Sequence, residues 1–328
     1  MTISSRLGSG DLGEMEAMEL EQMLAAYSRV SSANKAKFAR LKVVLQQFHT
    51  KGIDCLLLKG ADLILRLYGV LGLRGMVDVD LLVHEEDLPA IDGLLRSLGY
   101  RTQIDGNPAY QDPESILTLD LITEVWYVDD QEVIWQRADQ RDFEGIPVKG
   151  MGVNDLLVYL TAYNVAHRAY LLPSFARDIA FLVEKEHLDW AFILEEACRR
   201  HLKIPLHHGL SYVIRHTSTS IPLHVLEELA PTNRTERFCS FLLNKLVTEQ
   251  PIAELGHLLL FLTQPARRKG RWLKNSLFPS KAFMTNRYGE EWARAPLATR
   301  LGRPFSLASQ SLRLSSRLAV ALLTRRNQ

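Results

Sequence analysis

Apolar residues recur three and four positions apart from Glu14 to about His49. Met18, Leu20, Met23, Leu24 and Tyr27 form one series, and Phe38, Leu41, Val44, Leu45 and Phe48 a second. That spacing lines one face of a helix. Ser31-Ser32-Ala33-Asn34 interrupts it and is expected to cap a second helix, while Gly52 supplies a C-terminal stop. The pattern then shortens. Asp54-Cys55-Leu56-Leu57-Leu58 suits a buried strand, Lys59-Gly60 follows, and Leu63, Leu65, Leu67 and Tyr68 return to helical spacing. Gly69 to Gly75 reads as a turn region, and Met76–Val83 alternates and then runs apolar, as a second strand does. Glu85, Glu86 and Asp87 ahead of Pro89 mark the start of a helix carrying Ile91, Leu94, Leu95 and Leu98, closed by Gly99. Tyr100–Gln103, Leu117–Val128 and Ile146–Val148 read as further strands.

From Val153 the texture is helical. Asn154 or Asp155 is expected to cap a helix continuing through Leu156, Leu157, Leu160 and Tyr163. Phe175–Val183, Trp190–His201, Ile204–Ile214, Leu223–Leu229 and Thr235–Val247 predict further helices. The last ~70 residues lose clear periodicity until Leu312–Leu323. The pattern therefore divides the chain into an N-terminal helical segment (1–50), a strand-containing domain (51–150), a helical domain (151–250) and a C-terminal segment (251–328).

Composition narrows the class. A chain of 328 residues with 47% hydrophobic and 23% charged residues has ample material for a sizeable core and is not a disordered composition. Cys55, Cys198 and Cys239 show neither disulfide nor metal-site spacing and are expected as buried thiols. No apolar run approaches the ~18–20 residues of a membrane span. No apolar stretch follows the N-terminal Met-Thr-Ile-Ser-Ser-Arg either, so a soluble cytoplasmic protein is expected. The near-neutral total conceals a segregation. Residues 265–328 hold fourteen Lys and Arg against Glu290 and Glu291, a local charge of +12, and the remainder carries −11. Such a segment suits an anionic partner, or docks on the acidic body; both readings stand.

The chemistry is concentrated between Leu56 and Tyr100. Residues two apart on a strand share a face, so Asp78 and Asp80 point together while Val79 turns to the core. Paired carboxylates repel unless a cation lies between them, and Mg²⁺ accepts such oxygen ligands together with substrate phosphates. Upstream, Lys59-Gly60 between strand and helix lets backbone amides approach a phosphate. A phosphate cradle followed by a carboxylate pair is the outline of a two-metal phosphoryl-transfer site. Taken singly, an Asp-x-Asp is usually a solvated strand end and the glycine a turn glycine. His167 and Arg168 lie near a helix end, where carbonyl capping is the common role. Arg177 and Asp178 read as structural, and the adjacent His207 and His208 diverge by ~100° on a helix, a poor metal pair.

Leu56-Leu57-Leu58-Lys59-Gly60, Leu73-Arg74-Gly75-Met76 and Asp78-Val79-Asp80-Leu81-Leu82-Val83, followed by Glu86-Asp87-Leu88 and Leu98-Gly99-Tyr100, resemble the bacterial uncharacterised nucleotidyltransferase family of the DNA polymerase β-like superfamily. Asp120-Leu121, Ala166-His167-Arg168, Ala176–Ala180, Leu188-Asp189-Trp190 and Phe278-Pro279-Ser280 extend the resemblance over most of residues 40–290. It implies an α/β (α+β) fold, with a small mixed sheet flanked by helices and followed by a helical domain. It also implies a turn glycine for the triphosphate of an NTP such as ATP, and three carboxylates for two Mg²⁺, with Mn²⁺ a possible substitute. Carried onto this chain, Gly60 is the turn glycine and Asp78, Asp80 and Asp120 hold metal; read from the residues alone, Lys59 suits either a phosphate contact or a structural ion pair with a nearby acid, and Arg74 either a phosphate contact or a surface loop. The chain departs from the superfamily in having Lys59-Gly60-Ala61 for Gly-Gly or Gly-Ser, and in the seventeen residues between Gly60 and Asp78. Ile122-Thr123 stand where many relatives have His-Trp. Asp120, Ile122 and Glu124 share a strand face, so Glu124 is the alternative third acid.

The expected activity is transfer of a nucleoside monophosphate from an NTP to an unidentified acceptor with release of pyrophosphate. Two rivals are a catalytically degenerate nucleotide-binding or regulatory protein, and an anionic-surface module built on residues 265–328. The oligomeric state is not legible in the pattern.

Overall fold

The fold, a computed structural model, describes residues 9–103 and 108–247 together with isolated residues and pairs between 258 and 316. The basic segment 265–328 falls almost wholly outside the described residues. By its contacts the chain divides into two units. The first comprises Met1–Arg101, Tyr110–Asp120 and Arg141–Val148, and the second comprises Thr102–Ala109, Leu121–Gln140 and Lys149–Gln328.

A seven-stranded mixed sheet runs in the order β3-β4-β5-β2-β1-β7-β6. Its strands are β1 (Cys55–Leu58), β2 (Val79–Val83), β3 (Arg101–Gln103), β4 (Ala109–Gln111), β5 (Thr118–Ile122), β6 (Asp139–Phe143) and β7 (Ile146–Gly150). β1 and β2 pair antiparallel, with Cys55 opposite Val83 and Leu58 opposite Asp80. Both are buried along their whole length. That is why their sequences are near-continuous apolar runs. α2 (Lys59–Leu63) follows β1 without a loop and passes into a π-helical turn, Ile64–Tyr68, which Gly69 ends with a left-handed φ of 67°. A short 3₁₀ turn (Glu85–Asp87) leads into α3 (Leu88–Ser97).

α1 (Ser9–Lys51) is one uninterrupted helix of 43 residues. The expected break at Ser31–Asn34 does not occur. Asn34 is buried, and its Nδ2 donates to the carbonyls of Leu71 and Arg74, 2.7 Å each, so its side chain serves a distant loop and not a helix end. Phe38, Leu41, Val44, Leu45 and Phe48 are buried, and the Phe38 ring lies 5.0 Å from that of Phe143 on β6. Each such side chain contributes ~1.5–3 kcal/mol. Met18, Leu20, Met23 and Leu24, in the N-terminal half of α1, are exposed.

The second unit carries α4 (Glu132–Gln136), α5 (Val153–Ala162) with a π-helical turn Tyr163–His167, α6 (Pro173–Lys185), α7 (Trp190–Arg199), α8 (Lys203–His216), α9 (Leu223–Leu229) and α10 (Arg234–Leu246). α5 is buried from Asp155 to Ala162. Its Asp155 takes two bonds from Arg137, 2.7 and 2.8 Å. The expected capping by Asn154 or Asp155 is corrected: Asn154 Oδ1 accepts from the Asp189 amide at 2.9 Å, and Gly152 stands at the cap position. Asp189 in turn caps α7, accepting from Phe192 N.

Other differences from the pattern have local causes. The run Leu117–Val128 is strand only over Thr118–Ile122. Beyond it, Gln131 bonds back to Val125 N (2.8 Å) and Val128 O (2.7 Å), holding that apolar stretch as a turn. β6 was not expected, because Asp139-Gln140-Arg141-Asp142-Phe143 has a single apolar residue; it is the last strand in the order, where polar side chains are tolerated. Cys55 and Cys239 are buried as expected, whereas Cys198 is exposed.

Candidate active site

The site is assembled in the first unit, where β1 hands over to α2. Lys59 has a φ of 46°, a left-handed conformation rare for a residue with a Cβ, costing on the order of 1 kcal/mol. From this bend its ammonium reaches Asp80 on the partner strand, with Nζ 2.6 Å from Oδ1. The pair is well shielded, the side chains being 16% and 6% exposed. Attraction between charges so placed exceeds that of a surface pair. The strand expected over Met76–Val83 begins only at Val79, so Asp78 lies half-buried in the irregular stretch before β2 and does not share a strand face with Asp80. Asp120 lies, half-exposed, on β5, the strand beside β2, on the face shared by Thr118 and Ile122. Glu124, the alternative acid, is exposed beyond the end of β5.

Gly60 is buried, and a Cβ built on it would stand 2.9 Å from Arg74 Nη1 and 2.9 Å from Met76 Cγ. Only a hydrogen lets the Arg74 guanidinium lie against the turn. The long connection between Gly60 and Asp78 is held from α1: Asn34 binds the carbonyls of Leu71 and Arg74, and Lys37 Nζ donates to Met76 O at 2.6 Å. Asp62, one residue beyond Ala61, has no exposed surface and accepts from Arg141 Nε of β6 at 3.2 Å, with Arg66 Nε 3.7 Å away. Lys59, Arg66, Arg74 and Arg141 thus lie on or around the turn that carries Gly60.

The structure therefore brings Lys59 onto Asp80 and Arg74 onto Gly60, and puts Asp120 on the strand adjoining the pair. Sequence reasoning missed Asn34, Lys37, Asp62, Arg66 and Arg141. Asp62, an acid in the first turn of an apolar helix, was the one visible signal among them. Among the described residues no three His, Cys, Asp or Glu side chains form a ready cluster for a metal ion. The donor chemistry nonetheless fits a hard divalent cation, since Asp78, Asp80 and Asp120 offer only oxygen and a cation, the Lys59 ammonium, already sits on one of them.

In the second unit, His167 ends the π-helical turn with its ring stacked on Tyr163 (5.1 Å, 11°) and 5.3 Å from the Trp126 ring. Arg168 lies over the rings of Tyr163 and Tyr170. Asp178 is buried on α6 and Arg177 is exposed. His208 lines a cavity of about 170 Å³ with Tyr212, Arg215, His216 and Asn244, while His207, one residue away, is only half-buried.

A family model, described as an uncharacterised nucleotidyltransferase, matches residues 3–217, and the chain belongs to that family. The resemblance drawn from the Lys59-Gly60 and Asp78-x-Asp80 segments is borne out, and the protein is a nucleotidyltransferase, a transferase of the 2.7.7 kind. No curated protein matches the sequence. Solved structures similar to it include a solution structure of the antibiotic-resistance factor ANT(2'')-Ia, 14% identical with a TM-score of 0.41, covering 56% of this chain and 100% of that one. An antigenic nucleotidyltransferase-like protein from Paracoccidioides brasiliensis is 16% identical with a TM-score of 0.43, covering 60% and 92%. ANT(2'')-Ia in complex with adenylyl-2''-tobramycin is 12% identical with a TM-score of 0.37, covering 55% and 98%. Among the described residues no helix is long and apolar enough to cross a membrane.

Proposed function

We propose that the chain moves a nucleoside monophosphate from an NTP to an acceptor hydroxyl or phosphate and releases pyrophosphate, with Asp78, Asp80 and Asp120 as the metal-binding carboxylates. The acceptor oxygen bonds to the α-phosphorus, an acceptor hydroxyl releasing its proton to solvent, while the bond from that phosphorus to the bridging oxygen breaks and pyrophosphate leaves with the electron pair. Lys59 and Arg74 bind the triphosphate, and Gly60 leaves the space in which Arg74 lies. Asp78, Asp80 and Asp120 are the residues that would hold Mg²⁺, or Mn²⁺ in its place, through carboxylate oxygens. When bound, the ion stabilises charge on the transferring and leaving phosphates. What supports the reading above all is the junction of Lys59, Gly60 and Asp80 in a chain of this family.

The test is pyrophosphate release from each NTP with Mg²⁺ in the presence of host extract, comparing the wild type with Asp78→Asn and Asp80→Asn. Release should fall to background in both variants, and α-labelled nucleotide should then mark the acceptor. Equal release from wild type and variants would sink the assignment of the carboxylates.

A further inference from the structure

Lys59 has an unusual position for a phosphate-binding lysine. Its ammonium is directed at a carboxylate of the proposed metal pair, Nζ standing 2.6 Å from Asp80 Oδ1. Two features of the backbone keep it there. The antiparallel register sets Leu58 opposite Asp80, so the residue after β1 emerges beside that carboxylate. The left-handed φ of 46° at Lys59 then bends the chain immediately into α2. Gly60 follows directly, yet the strained conformation falls on the residue that carries the charge. Strain of this kind persists where the surroundings over-determine it and clusters at functional sites.

A divalent cation binding Asp80 must share that oxygen with an ammonium at contact distance or displace it. Two cations on one shielded carboxylate repel strongly, because little solvent screens them. The triphosphate offers the lysine an alternative anionic partner to Asp80. Resting on the proposed function above, we infer that Lys59 is a resident counter-ion of Asp80 that withholds this carboxylate from divalent metal until a nucleotide triphosphate draws the ammonium away. Metal and nucleotide then strengthen each other's binding by the same factor, as linkage requires. Lys59 is a positioning residue in this scheme as well as a phosphate ligand, and in the metal-free site the Asp80 carboxylate is neutralised by its own chain.

The experiment titrates the full-length protein with Mn²⁺, read by the loss of the free-ion electron paramagnetic resonance signal, with and without a non-hydrolysable NTP analogue, the analogue's own Mn²⁺ binding being measured without protein and subtracted. In the wild type the analogue should tighten Mn²⁺ binding by roughly tenfold or more. In Lys59→Met, Mn²⁺ alone should bind about tenfold tighter than to the wild type, and the analogue's further effect should shrink correspondingly. Lys59→Arg, which keeps the charge, should behave as the wild type, and adding Asp80→Asn to Lys59→Met should remove the gain. An unchanged or weakened Mn²⁺ affinity in Lys59→Met, with nucleotide binding still dependent on Asp78 and Asp80, overturns the inference and leaves the proposed function standing. If Lys59→Met does not fold, the wild type alone decides: independent binding of Mn²⁺ and analogue overturns the inference. Absence of any Mn²⁺ binding that depends on Asp80, with or without analogue, overturns both.

Discussion

At Gly60 the side chain that is absent leaves the space in which Arg74 lies, and the proposed phosphate site depends on it. A methyl group there would meet Arg74 Nη1 and Met76 Cγ at 2.9 Å, closer than real Cβ atoms come. Both neighbours are movable side-chain atoms, so the fold tolerates the change by shifting the guanidinium. Gly60 lies in a helix, where alanine is favoured by up to ~1 kcal/mol, and that gain offsets the local displacement. Gly60→Ala should therefore leave the unfolding midpoint nearly unchanged while weakening NTP affinity about tenfold, or ~1.4 kcal/mol. Calorimetric nucleotide titration beside a thermal melt separates the two effects; a lowered melt with unaltered affinity would make Gly60 a packing residue. This position could be singled out in the sequence because a glycine between a predicted strand and helix, one helix ahead of an Asp-x-Asp, lets backbone amides approach a phosphate. The partner on Asp80 was not, because pairing Lys59 with Asp80 needs the register that sets Leu58 opposite Asp80 across twenty-one intervening positions.

Among the elements, α1 does more than cover a core. Its apolar stripe from Phe38 to Phe48 was readable from spacing alone, and so was its end at Gly52. Its continuity through Ser31–Asn34 was not, since an asparagine inside a helix looks locally like a cap. Asn34 instead spends both hydrogens of Nδ2 on the loop that carries Arg74. Each bond contributes ~0.5–1.5 kcal/mol, more if a carbonyl is left buried without a donor. Asn34→Ala should lower stability by ~1–3 kcal/mol and loosen Arg74, raising KM for the NTP several-fold at unchanged nucleotide specificity. Asn34→Asp should be worse than alanine, because a carboxylate has no hydrogen to offer two carbonyl oxygens. Chemical denaturation of both variants gives the order; an aspartate variant as stable as the alanine one would contradict the bonding described. β1 and β2 were visible for a complementary reason: central strands buried on both faces are written in near-continuous apolar residues, broken in β2 only by Asp80. β4 and β6 are three and five residues long and were lost for want of such runs.

For the molecule as a whole, the titrating groups decide how stability follows pH, and their signs can be worked out. His208 is buried in the second unit, and its pKa is drawn down to about 4, first by burial, then by Arg215 and His207, with the hydrogen bond to Asn244 opposing. The unfolded chain holds this imidazole near its ordinary value of ~6.5, so between pH ~6.5 and about 4 the unfolded state binds the proton that the folded state refuses. Stability is complete above that window and falls as pH descends through it. Asp92 and Glu236 act in the same direction at lower pH. Burial raises both, but hydrogen bonds from Arg96 and Tyr110 to the first, and from Thr232 to the second, outweigh it and leave their carboxyls below the usual range. Asp155 opposes: burial raises its carboxyl in spite of Arg137, so the folded state takes up that proton more readily and gains stability as pH falls. His208, joined by the half-buried His207 whose imidazole burial also lowers, acts before Asp92 and Glu236 on acidification, since an imidazole's ordinary value lies about two units above theirs. Urea unfolding of the full chain should accordingly lose stability from pH 7 to pH ~4.5 in the wild type, and less so in His208→Gln. The wild-type and variant curves should converge by on the order of 2–3 kcal/mol over that range. Parallel curves would mean that His208 is protonated in the folded protein, and hence that the cavity it shares with Arg215 and His216 is more hydrated than its burial implies.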